Sequence, residues 1–289
     1  MITDTKLDAF RRASGAFAVL ALDQREALRA MMSAYRTAPV TDEEVRRFKL
    51  EAARVLTPHA SGVLLDRQFA LDQAIDGGAV SPGCGLIAAA DRFDKAHGET
   101  VGETAIDLDV GPERYAALGV KALKLLVLYR PDGNREQRVA MALEFIERCR
   151  EAGLASILEP VSRRPLNGAR FDHTAGIIDA AAELGRLGAD LYKAEVPYAG
   201  QAPEAEVRSA CARLTELVDS PWVVLSSGVP EEYFPQAVRW ACAEGASGFL
   251  AGRAIWASCL GAADVSAALR EGAADRLRRL CDLVDEAVG

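Results

Sequence analysis

The feature that most constrains this chain is a rhythm of short apolar runs with amphipathic stretches between them. Eight runs can be counted: Ala16 to Leu22, Ser61 to Leu65, Gly85 to Ala90, Ala122 to Leu128, Ala155 to Leu158, Asp190 to Ala194, Trp222 to Leu225 and Ser247 to Ala251. Runs rich in Val, Ile, Leu and Ala that alternate with helical periodicity are the signature of repeated βα units and a parallel sheet. No Pro/Ser-rich linker or break in composition separates them. The expectation is therefore one α/β domain over residues 1–289, closed as a (β/α)8 TIM barrel. Thr41-Asp-Glu-Glu reads as an acidic helix start, and the helical period from Glu136 to Arg150 ends at Gly153, a C-terminal cap. The polar stretch from Asp91 to Glu103 reads as a loop, placed where it can edge an active site.

Charge and composition narrow the function classes. With 34 Lys and Arg against 42 Asp and Glu, the net charge is −8, which lacks the basic footprint of a nucleic-acid partner. An anionic ligand must then be met by a local cluster. Six cysteines at 84, 149, 211, 242, 259 and 281 have no CxxC spacing and read as reduced core residues. The N-terminus Met1-Ile-Thr-Asp-Thr-Lys-Leu-Asp carries no signal pattern, and no apolar run is long enough to span a membrane. The expected setting is cytoplasmic, with no membrane partner.

In a barrel of this kind the active site sits at the C-terminal ends of the strands, so the polar residues that end or interrupt the apolar runs are the informative ones. Asp23 ends the first run, Asp66 the second, and Lys124 interrupts the fourth. Glu159 ends the fifth, Lys193 interrupts the sixth, Ser226 and Ser227 end the seventh, and Gly252 with Arg253 ends the eighth. Strand alternation makes Lys121 and Lys124 face opposite sides, with Lys124 inward alongside Ala122; Leu191, Lys193 and Glu195 share one face.

A buried amine beside a second cation is disfavoured in its charged form. Lowering a lysine from its reference value of about 10.4 to roughly 7 to 8 takes on the order of 3 to 5 kcal/mol. Lys124 next to Lys193 is expected to supply that. Neutral Lys193 then attacks a ketone to form an iminium, an electron sink for C–C cleavage. Glu159 shuttles protons, Asp23 orients the lysines and meets substrate hydroxyls, and Lys124 tunes Lys193. Ion pairs of the two lysines with Asp23 and Glu159 would account for the same residues structurally.

The segments Val223-Val-Leu-Ser-Ser-Gly and Gly248-Phe-Leu-Ala-Gly-Arg each run from a strand into a small-residue loop and a helix. Loops after strands seven and eight commonly hold phosphate, so Ser226, Ser227, Gly228, Gly252 and Arg253 form the candidate phosphate site. His59, His97 and His173 lack zinc-ligand spacing, and no metal site is expected. Gly83-Cys-Gly precedes a strand, which does not suit a dinucleotide loop, and no GxSxG elbow occurs.

Taken together, Leu22-Asp-Gln-Arg-Glu-Ala, Ala122-Leu-Lys-Leu-Leu, Leu158-Glu-Pro, Asp190-Leu-Tyr-Lys, Leu225-Ser-Ser-Gly and Gly248-Phe-Leu-Ala-Gly-Arg resemble the bacterial class I aldolases that include tagatose 1,6-bisphosphate and sulfofructose phosphate aldolases. The likeness runs from about Ala13 to the final helix and is closest to the sulfofructose phosphate branch. It implies reversible cleavage of 6-deoxy-6-sulfofructose 1-phosphate to dihydroxyacetone phosphate and 3-sulfolactaldehyde, in sulfoquinovose breakdown. It also implies no cofactor and a homo-oligomer. Lys193 matches the family's Schiff-base lysine, Lys124, Glu159 and Asp23 its supporting polar residues, and Ser227, Gly228, Gly252 and Arg253 its C1-phosphate loops. Gln24 and Arg25 are the candidates for the second anion, a sulfonate or a C6 phosphate, with Arg67, Gln68 and Arg163 behind them. The alternatives are a tagatose or fructose 1,6-bisphosphate aldolase, a Schiff-base barrel isomerising a sugar phosphate, and a non-catalytic sugar-phosphate sensor.

Overall fold

A computed structural model describes residues 6–289. Met1 to Thr5, part of the N-terminus read above as carrying no signal pattern, lies outside the described residues.

In chain order the strands are β1 (Phe17–Leu22), β2 (Gly62–Asp66), β3 (Gly85–Ala89), β4 (Asp91–Ala96), β5 (Glu99–Ile106), β6 (Ala122–Tyr129), β7 (Ala155–Ser162), β8 (Leu191–Ala194), β9 (Trp222–Val224) and β10 (Gly248–Ala251). The helices are α1 (Glu26–Ser33), α2 (Asp42–Leu56), α3 (Leu71–Asp76), α4 (Pro112–Ala117), α5 (Arg135–Glu151), α6 (His173–Leu184), α7 (Glu204–Leu217), α8 (Phe234–Ala243), α9 (Arg253–Trp256), α10 (Val265–Ala268) and α11 (Ala274–Val288). Eight strands close into a parallel barrel in the order β1-β2-β3-β6-β7-β8-β9-β10 and back to β1. Each of these strands matches one of the eight apolar runs, as the expected TIM barrel requires.

Closure depends on one glycine. At the β10–β1 seam Phe17 sits opposite Gly248, where φ is +128° and an added Cβ would lie 2.0 Å from the Phe17 carbonyl oxygen. Only glycine tolerates both the backbone angle and the approach. The helices begin and end as their residues dictate. At α2, Thr41 and Glu44 form a reciprocal capping box. After α5, Gly153 at φ +70° lets Leu154 N–H return to Cys149 O at 2.9 Å.

Two apolar clusters result. The larger lies between strands and helices, and the smaller fills the barrel with Phe17, Val19, Ala21, Leu64, Ile87, Ala89, Ala122, Ala155, Ile157, Leu191, Val223 and Leu250. Leu7 and Phe10 join the inner cluster and plug the barrel's lower end, the Phe10 ring lying against Gly62 and Gly85. All six cysteines are buried free thiols, and burial pushes Cys84 and Cys211 up to about 12. Among the described residues no helix is long and apolar enough to cross a membrane.

The stretch read as a loop from Asp91 to Glu103 is a correction. It forms the antiparallel hairpin β4–β5, turning at His97 and Gly98, both at positive φ. A two-residue turn with φ > 0 matches the twist of a hairpin, and β-branched Thr100, Val101, Thr104 and Ile106 favour the returning strand. β7 also runs past Leu158 to Ser162, through Pro160. β8 pairs only with Ile157 and Leu158, so the missing Pro160 N–H forfeits no ladder bond on that side.

Candidate active site

Strand alternation builds the floor of the site. Ala21, Ala122, Ile157 and Leu191 belong to the inner cluster. The residue two positions further along each strand or strand end is Asp23, Lys124, Glu159 or Lys193. A step of two residues keeps a side chain on the same face, one rung higher. These four charged groups thus meet in the upper barrel, where all are buried at 7% exposure or less.

Lys124 is the hub. Its Nζ lies 2.6 Å from Asp23 Oδ2, 2.7 Å from Asp91 Oδ2 and 3.0 Å from Glu159 Oε2. Burial opposes its charge, but the three carboxylates outweigh burial and hold its pKa well above the ordinary lysine range. Lys124 is therefore a fixed ammonium. For Asp23, burial pushes upward, while Lys124 and then Lys193 pull downward and prevail, keeping the carboxylate ionised. Lys193 Nζ lies 2.9 Å from Glu159 Oε1, so Glu159 stands between the two ammonium positions. The neighbouring lysines are thus joined through the ion pairs with Asp23 and Glu159 that the sequence also allowed. Glu159 Oε2 makes its contact with Lys124 without hydrogen-bond geometry and keeps acceptor capacity.

Above this floor opens a cavity of about 690 Å³, which Asp23 and Glu159 border from below. On one side Ser227 and Arg253 line it. Burial lowers the pKa of the Arg253 guanidinium, against the fields of Glu159 and Asp23, but leaves it an inward cation at the start of α9. Gly228 sits beside Ser227 at φ +77°. Two members of the proposed phosphate set have other tasks. Ser226 Oγ accepts from the N–H groups of Gly252 at 3.3 Å and Ala254 at 3.5 Å, which ties the loops after β9 and β10 together. Gly252 is needed because a Cβ there would lie 2.3 Å from Ala21 O.

Gln24, Arg25, Arg67, Gln68 and Arg163 all line the same cavity. The arginines are not bare. Arg25 Nη2 is 2.8 Å from Asp91 Oδ1, Arg67 is 3.2 Å from Asp107 and 2.8 Å from Asp109, and Arg163 is 3.7 Å from Glu99. Gln24 Oε1 and Arg25 Nε are buried without a hydrogen-bond partner.

Asp91 is the residue that sequence reasoning missed. It is fully buried, and it follows Ala89 of the inner cluster by two positions, so continuing the third apolar run by one residue would have placed it inward. The hairpin it opens also brings Arg92, Phe93, Lys95, Thr100 and Val101 to the cavity wall. Asp66 follows Leu64 in the same way, but its partner is buried Lys49 of α2. Among the described residues no group of three or more His, Cys, Asp and Glu side chains is gathered as metal ligands.

Comparison with known proteins agrees with this architecture. The model of the DeoC/LacD family aldolases matches residues 17–258. Tagatose 1,6-diphosphate aldolase 1 of Streptococcus pyogenes is 30% identical over 268 residues, covering 84% of this chain and 81% of that protein. The enzyme of the same name from Enterococcus faecalis is 30% identical over 269 residues, covering 84% and 80%. Among solved structures, fructose-bisphosphate aldolase from Slackia heliotrinireducens superposes with a TM-score of 0.66 at 20% identity, covering 93% of this chain and 90% of that one. The Plasmodium falciparum fructose-bisphosphate aldolase gives 0.68 at 16% identity, covering 98% and 93%; both bear on the fold alone. With the family model spanning both ends of the barrel and aldolases 30% identical over most of its length, this chain belongs to the DeoC/LacD family of class I aldolases and is a carbon–carbon lyase.

Proposed function

We propose that the chain cleaves a phosphorylated ketose through a Schiff base on Lys193, with 6-deoxy-6-sulfofructose 1-phosphate as substrate and dihydroxyacetone phosphate and 3-sulfolactaldehyde as products. The observation that carries this is the 2.9 Å contact between Lys193 Nζ and Glu159 Oε1, made where Glu159 borders the cavity. It puts a proton acceptor at ion-pair distance from the nucleophile.

Lys193 gives its proton to Glu159 and adds to the C2 carbonyl; Glu159 returns a proton to the departing hydroxyl, and water leaves to form the iminium. Glu159 then takes the proton of the C4 hydroxyl as the C3–C4 bond breaks, its electron pair passing into the iminium to give an enamine. Protonation at C3 and hydrolysis release dihydroxyacetone phosphate and regenerate the amine. Lys124, held charged by three carboxylates, holds Glu159 in place beside Lys193. Asp23 holds Lys124 in place and accepts from substrate hydroxyls. Ser227, Gly228 and Arg253 meet the C1 phosphate, with Ser226 and Gly252 keeping their loops together.

The choice of a sulfonate over a second phosphate rests on the resemblance. Arg25, Arg67 and Arg163 each already face a carboxylate, which reduces the positive charge they offer an anion, while Arg92 and Lys95 of the hairpin add cations to the same wall. Gln24 Oε1, a buried acceptor without a partner, is available to a substrate hydroxyl. A bisphosphate reading, with tagatose 1,6-bisphosphate or, as a further alternative, fructose 1,6-bisphosphate as substrate, is favoured for the tagatose sugar by the names of the relatives. The buried free thiols suit a reducing cytoplasm, and a homo-oligomer follows from the resemblance alone.

The test is borohydride reduction with dihydroxyacetone phosphate and peptide mass mapping, beside cleavage assays on the sulfosugar phosphate and both bisphosphates. An adduct on Lys193 that Lys193→Ala abolishes, with preferred sulfosugar cleavage, is the expected result. An adduct with preferred bisphosphate cleavage moves the substrate. No adduct on Lys193 sinks the mechanism.

A further inference from the structure

We propose that Asp91 is a positioning residue that couples the Arg25 and Phe93 wall of the cavity to the lysine pair, so that an anion on the far end of the substrate raises turnover and does not merely tighten binding. This rests on the Schiff-base reading of Lys193.

The geometry is a continuous chain of charges. Arg25 Nη2 to Asp91 Oδ1 is 2.8 Å, Asp91 Oδ2 to Lys124 Nζ is 2.7 Å, Lys124 Nζ to Glu159 Oε2 is 3.0 Å, and Glu159 Oε1 to Lys193 Nζ is 2.9 Å. Asp91 is held rigidly within it. It is fully buried, and its Oδ2 also accepts the Leu126 N–H at 3.0 Å. Arg25 is placed to sense the cavity. Its guanidinium stacks 4.4 Å from the Phe93 ring centroid, its Nε has no hydrogen-bond partner, and both residues line the wall.

Neutralising Lys124 does not by itself require Arg25, because Asp23 and Glu159 already face that ammonium. What Arg25 adds is a competitor for the charge of Asp91. When a substrate anion draws the guanidinium away, the Asp91 carboxylate falls more fully on Lys124, and Lys124 then draws less on Glu159. Glu159 is thereby freed to act as the base toward Lys193 and the C4 hydroxyl. The same residue opens β4, so the hairpin that carries Arg92, Phe93 and Lys95 to the wall is anchored at the catalytic ammonium. Binding at a remote group is in this way converted to rate.

The experiment compares 6-deoxy-6-sulfofructose 1-phosphate and fructose 1,6-bisphosphate, which carry a terminal anion, with fructose 1-phosphate, which does not. In the wild-type enzyme kcat for the better two-anion ketose is expected to exceed that for fructose 1-phosphate by about tenfold, the range of ordinary coupling between sites. In Asp91→Asn that kcat ratio falls to near unity while the KM advantage of the terminal anion persists. Arg25→Gln also collapses the ratio, and the double variant adds nothing further. Equal kcat values in the wild type overturn the coupling, as does a preserved ratio with every kcat lowered by a common factor, the mark of a purely structural carboxylate. If Asp91→Asn does not fold, Arg25→Gln decides by the same criterion. Borohydride trapping with dihydroxyacetone phosphate separates the failures: no Lys193 adduct in the wild type overturns the Schiff-base reading, whereas an adduct with a preserved ratio overturns the coupling alone.

Discussion

Two adjacent layers of the same barrel are built from opposite chemistry. The lower layer holds Ala21, Ala89, Ala122, Ile157 and Leu191, all at 2% exposure or less. Two residues along, the upper layer holds Asp23, Asp91, Lys124, Glu159 and Lys193, also buried but all ionisable. The rungs are about 7 Å apart at the strand rise per residue. Burial of apolar surface contributes stability in the lower layer, and the upper layer sacrifices some, since charges taken out of water regain at best most of their solvation through pairing. One strand thus carries both a structural and a chemical residue, separated by a single repeat of the side-chain alternation.

The sharpest way to break that comparison lies on β7, where Ile157 and Glu159 represent the two layers. Replacing Glu159 by Gln should lower kcat by about 10²- to 10⁴-fold, the range for loss of a positioned general base. Steady-state kinetics on the preferred ketose, with thermal unfolding recorded beside it, gives the answer. Retained turnover in a destabilised protein would place Glu159 with the structural layer.

A smaller effect, on a different readout, is expected one rung below. Ile157→Ala should cost about 2 to 5 kcal/mol of stability in urea unfolding, with kcat per folded molecule unchanged. A kcat loss comparable to that of Glu159→Gln would mean the two layers do not act separately.

The smallest effect sharpens the comparison at the rim, where Glu195 follows Lys193 by two residues and meets His173 of α6 at 3.3 Å. The Glu195 hydrogen bond raises the His173 pKa, burial works against it, and the net shift is upward from 6.5. A group with a raised folded pKa contributes stability that is full below its unfolded value and lost as pH rises through the folded one. The melting temperature should therefore decline slightly between about pH 6 and pH 8, and His173→Gln should flatten that slope. An unchanged slope in the variant would assign the decline to other groups.

Much of this molecule is legible in its sequence. The eight apolar runs became the eight barrel strands because strands buried on both faces must be continuously apolar. The polar residues that interrupted those runs, Asp23, Lys124, Glu159 and Lys193, met in one place because alternation sends every second residue to the same side. The hairpin reads as a loop in sequence because Arg92, Asp94, Lys95 and Glu103 are polar and its two strands have no third strand to bury them. Its His97–Gly98 turn was the available signal.

The sequence by itself determined the barrel, its closure and the identity of the charged residues at the strand ends, because these follow from the period of apolar residues and from local backbone preferences. Only the tertiary structure decided which charge faces which. Asp91 reaches Lys124 across 33 positions of chain, Arg25 reaches Asp91 across 66, and Ser226 spans 26 to Gly252. Contacts between residues so far apart depend on how strands register and helices pack, and no local period records them. The phosphate loops show the same limit: small residues and an arginine marked the place, but it took packing to show that Ser226 and Gly252 hold the loops together while Ser227 and Arg253 face the cavity.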